Sequence, residues 1–177
     1  MLRHRPGILP ILSSVKYGKR KAEKRAATTL PRQGQNSNFF SSMGRFLYYY
    51  LDYLIGQAYV FFRYKINGNV ILYDRYYFDF IIDSRRSNIS LNPSLLRLGY
   101  FFVVKPRVNF FLYAPEEEIL SRKQELSEVD IRTMTNEYQQ LFKEFSGKYK
   151  EQEYLSINNT NLTNTIDSVM KHIIPRL

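Results

Sequence analysis

Two short and wholly apolar runs, Val70-Ile71-Leu72-Tyr73 and Val108–Tyr113 (VNFFLY), constrain the fold of this chain more than anything else in it. A run of four to six apolar residues closed by a turn signal suits a strand covered on both faces, the kind that parallel sheets contain. The first run ends on Asp74, and the second, preceded by Pro106, ends on Ala114-Pro115. Ahead of the first stands Asn67-Gly68, a turn signal. A third, shorter run is Tyr154-Leu155-Ser156-Ile157.

Between and around these runs the apolar period is helical. Phe46–Tyr64 (FLYYYLDYLIGQAYVFFRY) places Leu47, Tyr50, Leu51, Leu54, Ile55, Ala58, Phe61 and Phe62 at i, i+3, i+4, i+7 spacing. That spacing predicts a helix over residues 42–64, buried on this side. Interruption by Asp52, Gly56 and Gln57 argues against a membrane span, which needs about 20 apolar residues. Further helices are expected at Pro93–Val103, 115–124, 129–147 and 161–174. Pro115 and Glu116, Glu117 and Glu118 suit the positive end of the second of these. The third carries Tyr138, Leu141, Phe142, Phe145 and Tyr149 on one face; the last carries Leu162, Ile166, Val169, Met170 and Ile173. Buried strands alternating with amphipathic helices indicate a layered α/β fold with parallel pairing. A length of 177 residues fits a single domain, and no internal repeat is present.

The formal charge of +10 is unevenly spread. Residues 1–32 carry +8 of it and residues 33–177 only +2. Residues 13–38 are polar and basic without apolar period, and are expected to form a flexible loop. Segment 16–32 is a candidate for phosphate polymers or acidic lipid heads, against the plainer reading of a solvated loop; charge alone is a thin basis for nucleic-acid binding. No cysteine is present, which excludes a disulfide scaffold, a thiolate zinc site and a thiol nucleophile. His4 and His172 are too far apart in sequence to suggest a metal site. The run Ile8–Leu12 is broken by Pro10 and makes a poor signal-peptide core, although the Arg-rich start loosely resembles a transit peptide. The expected location is cytoplasmic.

Ligands of parallel sheets gather at the carboxyl ends of strands. The first strand ends there in Asp74-Arg75, within YDRYYFDFIIDSRR. Such a carboxylate can hold Mg²⁺ and such a guanidinium can clamp a phosphate, although an Asp-Arg pair can equally be a surface ion pair. VILYDRYYFDF resembles the strand and DR(Y/F) motif of thymidylate kinases and thymidylate kinase-like proteins. NFFLYAPEEEILSRKQEL is similar to that family's next strand, Pro-Glu helix start and entry to the lid. EYLSIN with its capped helix resembles the last strand and helix, and RHRPGILP a segment past the second strand. The resemblance spans most of residues 1–12 and 39–177.

What the resemblance implies is a three-layer P-loop kinase fold that transfers phosphoryl from ATP-Mg²⁺ to a nucleoside monophosphate or related acceptor, in a possible homodimer. Asp74 would sit near the metal and the reacting phosphates, and Arg75 would hold the acceptor's phosphate. Arg122, Lys123 and Arg132 would come from the lid, unless Arg122 and Lys123 are surface partners of acids such as Glu118. Tyr76, Tyr77 and Phe78 would either stack on a base or pack in the core. Asp79 stands where the family usually has Ser, which leaves the acceptor open. Cationic stabilisation of phosphate oxygens is the chemistry such a set provides.

The family's GxxxxGK[ST] loop is absent. Neither Gly18-Lys19 nor Gly147-Lys148 has the spacing or the following Ser/Thr. Without it a triphosphate loses its backbone cradle and its Lys. The strand that leads into that loop is central in the family's sheet, and its loss would leave neighbours roughly 10 Å apart with open edges. The expectation is an N-terminally incomplete domain, a truncated gene product or a short form, without turnover of its own. The alternative is a non-catalytic remnant, binding a nucleotide or phosphate, or an anionic partner through its basic leader.

Overall fold

The computed structural model describes residues 2–3, 38–122, 124 and 126–176. The expected basic loop at 13–38 lies outside the described residues except for Asn38. The fold is mixed α/β and mostly helical, with two small parallel sheets. Two compact units divide the chain, Met1–Val104 and Lys105–Leu177.

In the first unit, strand β1 (Leu2–Arg3) precedes helix α1 (Phe39–Val60). The Asn38 side chain accepts from the Ser41 N–H at 3.1 Å and satisfies one of the free donors that begin the helix. After Val60 the backbone widens into a π-helical turn, Phe61–Lys65, and Gly68 (φ 74°) makes the expected turn. The side of α1 that is buried is not the one the apolar spacing selects. Phe46, Tyr49, Tyr53, Gly56, Gln57 and Val60 face the core, with Ser42 and Asp52, while Leu47, Leu51 and Ile55 are exposed. The aromatic side wins because its rings find edge-on partners: Tyr53 lies 5.5 Å from Tyr76, 5.8 Å from Tyr77 and 6.3 Å from Phe80, centroid to centroid. Such contacts add to the large area each ring removes from water.

Strand β2 is shorter than expected, Tyr73–Asp74, and pairs in parallel with β1, Leu2 opposite Tyr73 and Arg3 opposite Asp74. Val70 and Leu72 stay exposed. An apolar run settles as an interior strand only when neighbours satisfy both edges, and this sheet has two strands among the described residues. Helix α2 (Phe78–Ile82), a 3₁₀ turn (Ser84–Ser87) and helix α3 (Pro93–Gly99) follow. Pro93 opens α3, and Asn92 caps it by accepting from the Ser94 N–H at 2.9 Å. A 3₁₀ turn, Tyr100–Phe102, replaces the end of the helix expected to reach Val103.

Gly99 closes this core. A Cβ at position 99 would stand 2.2 Å from the Tyr77 hydroxyl, which is tied to the Leu96 carbonyl at 2.9 Å. Gly99→Ala should therefore destabilise by about 1–3 kcal/mol through overpacking. Adding Tyr77→Phe removes the obstructing oxygen, so urea titrations of the four proteins should show the double variant less destabilised than the two single effects added. Strict additivity would refute this contact.

In the second unit, β3 (Val108–Tyr113) and β4 (Glu153–Asn158) pair in parallel, from Val108 opposite Glu153 to Tyr113 opposite Asn158. This agrees with the two later runs read as parallel strands. Helix α4 (Glu116–Arg122) starts beyond Pro115, whose carbonyl accepts from Glu118 and Ile119. Helix α5 (Glu128–Lys148) is capped by the Ser127 hydroxyl, which accepts from the Asp130 N–H at 3.1 Å. As the spacing predicts, Leu141, Phe142 and Phe145 are buried, and Tyr138 stacks on Phe111 at 4.6 Å. Helix α6 (Leu162–Ile173) differs from expectation: Thr165 is its buried residue, and Leu162, Ile166 and Met170 are exposed.

Candidate functional site

The site expected at the end of the first apolar run begins with an unusual backbone. Asp74 is the last residue of β2 and is exposed; Arg75, directly after it, has φ 73°. A non-glycine residue held in the left-handed region costs on the order of 1–3 kcal/mol and persists only where its surroundings over-determine it. Tyr76 and Tyr77 are those surroundings. The Tyr76 hydroxyl bonds to the Gln57 amide and to the Val104 carbonyl, while the same Gln57 accepts from the Val104 N–H at 2.9 Å. Tyr77 is fully buried and donates to the Leu96 carbonyl. Burial pushes the Tyr77 phenol upward, so it remains a proton donor across the ordinary pH range. Two anchored tyrosines thus fix the chain on one side of Arg75 and β2 fixes it on the other.

This anchoring corrects one reading. Tyr76 and Tyr77 were candidates for stacking on a substrate base, and at 8% and 0% exposure they are core residues instead. Gln57, read from sequence only as a break in an apolar stretch, is what positions Tyr76. A buried amide on the inner face of α1 is the signal that could have found it.

Arg75 and Asp79 are brought together: the guanidinium donates to the Asp79 carboxylate at 3.4 Å, with the Arg75 side chain 47% exposed. A pair so exposed and so long is worth at most about 1 kcal/mol. A charge-assisted bond to a phosphate dianion, about 1.5–3 kcal/mol, would displace it.

In the second unit, Arg122 pairs with Glu118 one turn back on α4, the surface partnership weighed above. Arg132, on α5, bonds to Glu116 at 2.8 Å and to Glu128 at 2.9 Å. The Arg132 hydrogen bond holds the Glu116 carboxyl below the usual carboxylate range. Lys123 lies outside the described residues. Arg122 and Arg132, expected from sequence to belong to a lid, are thus each neutralised by an acid of their own unit, in exposed pairs that exchange readily.

Among the described residues no three His, Asp or Glu side chains gather as a metal set. Mg²⁺ commonly takes only one or two protein carboxylates and completes its shell with phosphate oxygens and water, a demand that Asp74 can meet. A triphosphate is different, because the sequence offers no Gly-rich loop to cradle it. The residues present therefore fit a single phosphate beside Asp74 and Arg75, and do not fit ATP. An open hollow of ≈ 220 Å³ along α5, lined by Asn136, Gln139, Gln140 and Lys143, contains none of the candidate residues.

Comparison with protein-family models, with curated proteins and with solved structures finds no match for this chain. No helix among the described residues is long and apolar enough to cross a membrane.

Proposed function

We propose that this chain is a thymidylate kinase-like protein of the P-loop kinase class that binds a nucleoside monophosphate or a similar small phosphate acceptor, without carrying out ATP-dependent transfer by itself. The left-handed backbone of Arg75 at the carboxyl end of β2 carries the reading. Strain of that kind collects at ligand sites, and strand ends of parallel pairs are where ligands bind. Support also comes from the exposure of Asp74 and Arg75 beside two tyrosines that are locked in the core.

In this reading Arg75 leaves Asp79 and takes the acceptor's phosphate through two parallel N–H···O bonds. Asp74 orients a hydrated Mg²⁺ or a water beside that phosphate. Bound ATP-Mg²⁺ would supply the transferable phosphoryl group, but the sequence has no GxxxxGK[ST] loop to hold it, which favours binding without turnover.

Calorimetric titration with thymidine monophosphate tests the proposal. Arg75→Ala should weaken binding tenfold or more, by the worth of a charge-assisted bond of about 1.5–3 kcal/mol. Arg97→Ala, on α3, should change it by less than about twofold. Equal affinities of wild type and Arg75→Ala would make Arg75 an ion-pair residue and nothing more.

A further inference from the structure

Helix α1 ends in a way that suits surroundings other than water. Phe61–Lys65 form a π-helical turn, a rare geometry that collects at functional sites. From Phe61 to Val70 every residue but Tyr64 is exposed. Phe62 is 69% exposed, Ile66 60% and Val70 61%. Phe61 lies edge-on to Phe62 at 5.4 Å, and Tyr59 to Tyr64 at 6.3 Å. Apolar side chains gathered on the surface in this way mark an interaction site.

The backbone beneath them does not depend on solvent. The last carbonyls of a helix ordinarily turn to water. Here the Phe61 carbonyl accepts from the Ile66 N–H at 3.2 Å and the Lys65 carbonyl from the Gly68 N–H at 3.1 Å. The Asn67 side chain donates to the Arg63 carbonyl at 2.9 Å, and the Asn69 side chain to the Tyr64 carbonyl at 3.1 Å. A helix end whose carbonyls are met from within can enter a lipid interface without leaving them unpaired.

Charge decides which surface it fits. No acid stands between Asp52 and Asp74, and two cations stand among the rings. The Arg63 guanidinium lies 5.8 Å from the Tyr64 centroid and the Lys65 ammonium 5.7 Å from that of Phe61. Long cations beside exposed rings suit a segment that sits at headgroup level. The asymmetry extends to the whole unit. Residues 1–104 hold sixteen Lys and Arg against five acids, and residues 105–177 ten against eleven, so the first unit carries +11 and the second −1. Stable attachment to a membrane surface takes two signals, such as an apolar insertion and a basic segment. Residues 1–32, at +8, supply the second. A nucleic acid would answer the charge, but not Ile66 and Val70, whose aliphatic side chains offer no ring for a base to stack on.

We infer that the first unit docks on an anionic lipid surface, with Phe61, Phe62 and Ile66 entering the interface and Arg63 and Lys65 meeting the headgroups. The inference is independent of the phosphate site, which lies beyond the other end of the run that starts at Val70.

Sedimentation of the full chain with lipid vesicles tests it. The chain should pellet with phosphatidylcholine vesicles containing about one-third phosphatidylserine, and bind pure phosphatidylcholine at least about tenfold more weakly. Phe62→Ser with Ile66→Ser should weaken binding to the anionic vesicles at least about tenfold, and Arg63→Gln with Lys65→Gln by about the same factor. Leu162→Ser, at an equally exposed position on α6, should change it by less than about twofold. Circular dichroism of all these variants should match wild type, because the side chains replaced are exposed. Insertion has its own readout, since the chain has no cysteine. An environment-sensitive dye on Phe62→Cys should shift to the blue on anionic vesicles, and the same dye on Gly147→Cys, on α5, should not. A chain that stays in the supernatant would overturn the inference, whether residues 4–37, a protein or a nucleic acid covers the turn. Vesicle binding indifferent to the Phe62→Ser and Ile66→Ser pair would overturn it as well, assigning attachment to the basic segment alone. So would a dye at position 62 that stays in water.

Discussion

Tyr77→Ala should cost the first unit about 3–5 kcal/mol, the range for emptying a fully buried aromatic site. The expectation rests on what the ring touches. Tyr77 is fully buried, lies 5.6 Å from Phe80, 5.8 Å from both Tyr53 and Tyr100, and 6.0 Å from Tyr50, and its hydroxyl holds the Leu96 carbonyl. Removing it opens a cavity among four aromatic residues that cannot all shift to fill it, and leaves the Leu96 carbonyl without that donor. Domains of this size are stable by only about 5–15 kcal/mol, so the variant should be close to unfolding at 37 °C. Tyr77→Phe should lose about 1–2 kcal/mol, the hydroxyl's share. Urea titrations followed by tyrosine fluorescence measure both. A loss under about 1 kcal/mol for Tyr77→Ala would mean that the ring is not the keystone of this core and that a ligand-facing role for it must be reconsidered.

A second large effect concerns chemistry. Supplied with ATP, Mg²⁺ and a panel of nucleoside monophosphates, the purified 177-residue chain should release no ADP above background. Kinases turn over at about 1–100 s⁻¹ by holding the β- and γ-phosphates against backbone N–H groups and cations. Here no GxxxxGK[ST] loop exists to do so, and each described candidate cation in the second unit sits on an acid. Coupled detection of ADP resolves rates far below that range. Turnover within it would show that triphosphate binding is achieved by residues other than those a phosphate loop provides, and would require the site to be redrawn.

The sequence was legible where one kind of local signal had no competitor. The runs at Val108–Tyr113 and Tyr154–Ile157 became parallel neighbours, and the α5 stripe of Leu141, Phe142 and Phe145 faces inward as its spacing requires. Asn-Gly at 67–68 turns through a positive φ. It misled where two faces of one helix were both apolar enough to be buried. Along α1 an aliphatic stripe and an aromatic stripe alternate, and hydropathy ranks Leu and Ile above Tyr. Packing ranks them the other way, because each tyrosine ring covers more area and finds edge-on aromatic partners inside, as Tyr53 does with Tyr76, Tyr77 and Phe80. Val70–Leu72 failed for a different reason: strand formation depends on partners, which a local run does not contain.

For the site, the position of Asp74-Arg75 at a strand end was readable, and so was the alternative that Arg122 pairs with Glu118. The left-handed backbone of Arg75 was not. A positive φ is usually signalled by Gly or Asn, and here it is imposed by β2 on one side and by Tyr76 and Tyr77 on the other. Nothing in the letters DRYY announces it.

That strain also gives the most direct test of the phosphate site, through Arg75→Gly. Glycine adopts φ 73° without the roughly 1–2 kcal/mol that an L side chain loses there, offset in part by its own freedom in the unfolded chain. If Arg75 is kept for a ligand, the variant should be more stable by about 0.5–1 kcal/mol in urea and should bind thymidine monophosphate at least tenfold more weakly in calorimetry. A variant that is less stable than wild type and binds the monophosphate equally well would contradict the account, assigning Arg75 to the fold and removing it from the site.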